Sequence, residues 1–67
     1  MIIVNDKSYN WVKNMDITDL LKQMGYTTKK PAVLIKVENQ VVKKSDWDNY
    51  IIPDKSKITV INLLRGG

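Results

Sequence analysis

Apolar positions along the chain change period several times, and each change marks a boundary between elements. Ile2, Ile3 and Val4 form a β-branched block that stops at Asn5-Asp6, and Tyr9, Trp11 and Val12 resume an alternating pattern. This predicts a hairpin of strands 2–4 and 8–12, because Asn and Asp tolerate the backbone of a tight turn. A two-residue loop at Asn5-Asp6 sets Ile2 opposite Tyr9 and puts Tyr9 and Trp11 on one face, toward the core. Ile17, Leu20, Leu21 and Met24 then stand at i, i+3, i+4 and i+7, the stripe of an α-helix. Asp16 is placed to cap it, Asp19 forms a shortened capping box, and Gly25 supplies the left-handed residue that ends it, so a helix is predicted at 16–24.

Pro31 disfavours helical geometry before the run Ala32 to Val37, which reads as a strand with Val33, Ile35 and Val37 on one face. Glu38-Asn39-Gln40 turns the chain into a short strand at Val41-Val42, whose edge is guarded by Lys43 and Lys44. Ser45 followed three residues later by Asp48 suggests a capped helical turn that drops Trp47 onto the core, continued by Tyr50, Ile51 and Ile52. Pro53 to Ser56 is a turn, and the strand Ile58 to Leu63 is apolar on both faces, as a central strand is. The expected fold is α+β: a mixed sheet of four to five strands with one main helix packed on one face. The order fits a β-grasp, or ubiquitin-like, arrangement with the last strand parallel to the first.

A chain of 67 residues closes a single core. The expected organisation is a domain at 1–63 and a flexible tail at 64–67. The absence of cysteine removes disulfides, thiolate metal sites and thiol nucleophiles, and the absence of histidine removes the commonest general base and zinc ligand. Neither a metal nor a catalytic triad is expected. No basic leader and no apolar run of about 18 residues precedes or interrupts the domain, so a cytoplasmic protein without a membrane segment is expected. The net charge of +4 suits association with an acidic protein or a polyanion.

The hairpin Met1-Ile2-Ile3-Val4-Asn5, the helix Asp16-Ile17-Thr18-Asp19-Leu20-Leu21, the segment Val37-Glu38-Asn39-Gln40-Val41-Val42, Trp47 and the terminal Gly66-Gly67 follow one another in a familiar order. In order and length they resemble the ThiS-type sulfur carriers of thiamin biosynthesis, across nearly the whole chain. The chain departs at Lys43-Lys44, where that family often has Pro-Arg, and at Lys55-Ser56, where it often has Gly-Asp. Its basic balance also differs from that of acidic members.

The resemblance implies a carrier rather than an enzyme. The Gly67 carboxylate would be adenylated by a ThiF-like enzyme that uses ATP, with no cofactor bound permanently to the carrier. A cysteine-derived sulfur donor would convert it to a thiocarboxylate, and a thiazole synthase would consume the sulfur. Gly66 and Gly67 lack side chains and can thread a narrow channel. Arg65 either pairs with an acid or phosphate of the partner or stands as a solvated charge. Leu64 is assigned to partner docking and Leu63 to the core. A monomer forming transient complexes is expected.

Other readings remain open on the residues. The small subunit of molybdopterin synthase shares fold and diglycine but is usually longer. A ubiquitin-like modifier is suggested by Leu64-Arg65-Gly66-Gly67, the same four letters that end ubiquitin. A small basic nucleic-acid-binding domain would account for the charge but not for the glycines. Trp11 and Trp47 lie in apolar contexts and read as core anchors rather than base-stacking platforms. No nucleic-acid partner is therefore expected.

Overall fold

The computed structural model describes residues 1–28 and 30–63. It contains β1 (Ile2–Val4), β2 (Lys7–Tyr9), α1 (Ile17–Gln23), β3 (Val33–Val37), β4 (Gln40–Val42), a 3-10 turn (Lys44–Asp46) and β5 (Lys57–Asn62). The five strands form one sheet in the order β2-β1-β5-β3-β4. β5 lies in its centre, parallel to β1 and antiparallel to β3. This is the β-grasp arrangement expected from the order of elements.

Asn5 and Asp6 make the β1–β2 turn with φ of 49° and 70°, and the register sets Ile2 opposite Tyr9. Positive φ at both central residues gives a twist that matches the flanking strands. The second strand ends at Tyr9, three residues before the expected limit at Val12. At Asn10 the chain leaves the sheet for the helix. The Gln23 side chain accepts from the Asn10 N–H at 3.0 Å and donates to its carbonyl at 3.1 Å, doing what a neighbouring strand would have done. Trp11 still turns toward the core, with its indole N–H donating to the Ile52 carbonyl at 2.7 Å.

The helix is capped at both ends as its sequence requires. Asp16 Oδ1 accepts from the Asp19 N–H at 2.8 Å, and Asp19 Oδ2 accepts from the Asp16 N–H at 3.1 Å, completing a reciprocal box. At the other end Gly25 adopts φ 103°. The Tyr26 and Gly25 N–H groups donate back to the carbonyls of Leu21 and Lys22, which is a Schellman closure.

Ile17, Leu20 and Leu21 of α1 meet the inward residues of β1, β3, β4 and β5 in one core that also takes in Met15, Trp47 and Ile52. The Trp47 indole N–H donates to the Val42 carbonyl at 3.1 Å. Reaching that carbonyl makes the chain turn at once after β4, so the turn begins at Lys44, is preceded by Lys43, and has no side-chain cap. The expected Ser45 cap is therefore absent, although Trp47 is fully buried as anticipated.

Candidate functional site

The expected working end of the molecule lies where β5 leaves the sheet. β5 is held on both flanks by its ladders with β1 and β3. One further clamp comes from a side chain. Asn5 Nδ2 donates to the Val60 carbonyl and Asn5 Oδ1 accepts from the Val60 N–H, both at 3.0 Å, so the amide stands in for the next peptide group of β1. Sequence periodicity offers no signal for this, since Asn5 reads only as a turn residue.

At the exit, the Leu63 N–H donates to the Ala32 carbonyl at 2.9 Å. The Leu63 side chain is 54% exposed, which corrects its assignment to the core. In β5 the buried positions are Ile58 and Val60. Odd-numbered positions face away from the helix, and Leu63 continues that parity. The four site residues Leu64, Arg65, Gly66 and Gly67 lie outside the described residues.

The turn that feeds β5 shows what the Lys55-Ser56 departure means. Lys55 takes φ 67°, a left-handed conformation, at a position where the resembled carriers often have glycine. Its neighbour Ser56 is buried and donates its hydroxyl to the Pro53 carbonyl at 2.7 Å. A residue with a Cβ is disfavoured in this conformation, at a cost of about 1–2 kcal/mol. Beside it, the Met1 ammonium lies 2.9 Å from Asp54 Oδ1. Hydrogen bonding to that ammonium, more than its charge alone, holds the Asp54 carboxyl below the usual carboxylate range.

A cavity of about 260 Å³ is lined by Thr18, Lys22, Lys30 and Asp48. The Thr18 hydroxyl donates to Asp48 at 2.6 Å. Lys30 donates to the Lys44 carbonyl at 2.7 Å, and the two ammoniums stand 5.9 and 6.0 Å from the Trp47 ring centre. Lys30 and Lys44 thus meet at the same indole, a convergence across fourteen residues that local sequence cannot show. Among the described residues no group of three or more acidic side chains is arranged to hold a metal ion. No helix among them is long and apolar enough to cross a membrane.

No protein-family model matches the chain, and no curated protein matches it. Among solved structures, the chain is similar to a thiamine biosynthesis protein, ThiS, from Geobacter metallireducens. The TM-score is 0.75 at 16% sequence identity, over 98% of this chain and 97% of that one. The whole described domain thus has the fold of a ThiS protein.

Proposed function

We propose that the chain is a sulfur carrier of thiamin biosynthesis, acting through the carboxylate of Gly67. The observation that carries this reading is the end-to-end likeness in fold to a ThiS protein, in a chain whose central strand ends at Asn62, two residues before Leu64-Arg65-Gly66-Gly67. A carboxylate is a poor acyl donor. A ThiF-like adenylating enzyme would join it to the AMP part of ATP, with release of pyrophosphate. A cysteine persulfide on the donor would then displace AMP to form an acyl disulfide, and a second thiol would attack the donor's sulfur, forming a disulfide with it and releasing the thiocarboxylate, the nucleophile a thiazole synthase uses. The carrier contributes no acid, base or thiol to these steps, in keeping with a sequence that lacks histidine and cysteine. It contributes a β5 held on both flanks by its neighbours.

Growth rescue tests the reading. A thiamin-requiring strain that lacks its own carrier should grow when given the full chain and should not grow when Gly67 alone is removed. The tail identity with ubiquitin and the shared fold of molybdopterin synthase small subunits define the alternatives. Rescue of a molybdopterin-deficient strain, with none of the thiamin-requiring one, would move the chain to that pathway. Attachment to protein lysines would instead make it a modifier.

A further inference from the structure

The cavity beside the helix gathers charges of both signs from three separate segments. Thr18 and Lys22 stand one turn apart on α1, Lys30 belongs to the connection between α1 and β3, and Asp48 follows the 3-10 turn. The Thr18 hydroxyl fixes Asp48 by donating to Oδ1 at 2.6 Å, which leaves Oδ2 to accept. The Lys30 ammonium uses one donor on the Lys44 carbonyl at 2.7 Å and keeps two. It also stands 5.9 Å from the Trp47 ring centre, where an aromatic face favours a cation. Lys22 makes no hydrogen bond or ion pair among the described residues. The one ion pair among them joins Met1 to Asp54, so both lysines of the cavity stand more than 4.0 Å from the Asp48 carboxylate.

Lys30 and Asp48 are each held by another partner, so the opposite charges stay apart and face the same space. Two ammoniums against one carboxylate leave one net positive charge around it. The Lys44 ammonium, 6.0 Å from the same indole, raises the potential on the Lys30 side. A simple anion such as phosphate would satisfy the lysines but lie against the Asp48 carboxylate. A simple amine would satisfy Asp48 but face two ammoniums. Complementarity is complete only for a molecule that carries two anionic groups and one ammonium. The volume of about 260 Å³ is below the roughly 300–1,000 Å³ of drug-sized ligand sites and restricts the occupant to amino-acid size. We propose that this cavity binds an α-amino dicarboxylate, with its two carboxylates on Lys22 and Lys30 and its ammonium on Asp48 Oδ2. The site is independent of the carrier reading, since none of its residues belongs to the terminus.

The test titrates the full-length, isotope-labelled chain with L-glutamate, with glutarate, which lacks the ammonium, and with inorganic phosphate, following amide signals by NMR. L-Glutamate should shift Thr18, Lys22, Lys30 and Asp48 saturably in the millimolar range, and added salt should weaken it. Glutarate should bind about threefold more weakly, and Lys22→Gln should weaken L-glutamate by a similar factor. Asp48→Asn keeps an acceptor for Thr18 but removes the charge. It should weaken L-glutamate and tighten glutarate, inverting their order, which a merely structural role for Asp48 would not do. Lys57→Gln, outside the cavity, should change nothing, and matched melting temperatures confirm that all variants are folded. Shifts that do not saturate, or that centre on other residues, would overturn the proposal. So would glutarate or phosphate binding the parent chain as tightly as L-glutamate, which would make the cavity a plain anion site. An unchanged order of the two ligands in Asp48→Asn would overturn it as well.

Discussion

The two faces of the sheet are made from the same kinds of residue and end in opposite states. Toward the helix, Ile2, Val4, Ile35, Ile58 and Trp47 are almost wholly out of water, and the acids at Asp16 and Asp19 are tied to backbone N–H groups. Away from it, Ile61, Val41 and Leu63 remain exposed beside Lys36 and Lys57, which make no ion pair among the described residues. Aliphatic composition alone therefore does not define the core; the position of the single helix decides which aliphatics are structural. The buried face carries the core, and the open one stays in contact with solvent.

The sharpest way to break this contrast is to cut one residue from each face. Trp47→Ala should cost about 3–5 kcal/mol, comparable to the whole stability of a domain this small. The variant should be unfolded in urea titrations that leave the parent native. Ile61→Ser, on the open face, should shift stability by no more than about 0.5 kcal/mol. If the two proved similar, the division between faces would be wrong.

Asn5 sharpens the contrast at the strand they share. Asn5→Ala removes both hydrogen bonds to Val60 and puts alanine at φ 49°, with an expected loss of about 2–3 kcal/mol. Asn5→Gly tolerates the backbone but not the clamp, so its midpoint should fall between those of Asn5→Ala and the parent. Equal losses would mean that the turn conformation alone matters.

Lys55→Gly works in the other direction. Relief of the left-handed strain at φ 67° should stabilise by about 0.5–1 kcal/mol after the added chain entropy is subtracted. Calorimetry should show a melting temperature a few degrees higher, and an unchanged value would mean that Lys55 is not strained.

The smallest effect concerns Asp54. Its carboxyl is held below the usual range by the Met1 ammonium, so its contribution is present above the unfolded-state pKa of about 3.9 and is lost as pH falls through the lower folded value. Because the pair is solvent-exposed, the change in stability should be slight. A carboxyl titration followed by NMR should show an Asp54 midpoint below those of free carboxylates, and acetylating Met1 should return it to them.

Local signals carried most of the fold. The cap at Asp16, the terminator at Gly25 and the turn at Asn5-Asp6 each depend on neighbours within six residues, and each stands where its chemistry demands. The central position of β5 was legible because Ile58 and Val60 alternate with Ile61 and Leu63 to leave both faces apolar. What could not be read depends on distant partners. The Gln23 side chain ends β2 early, and the Val42 carbonyl moves the 3-10 turn ahead of Ser45. The exposure of Leu63 follows from which face the helix covers, and a strand apolar on both sides does not reveal that. Of the site, the sequence names Leu64, Arg65, Gly66 and Gly67, all outside the described residues, while the open face around Ile61 required the register of β3 against β5.

The central claim is that Gly67 is an acid another enzyme activates, and intact-mass analysis addresses it directly. After incubation with ATP, a ThiF-like adenylating enzyme known to be active and a sulfur donor, the chain should gain the mass of one oxygen replaced by sulfur. Fragmentation should place that change on Gly67, and it should vanish on omission of ATP. An unchanged mass, or a change placed on any other residue, would contradict the account.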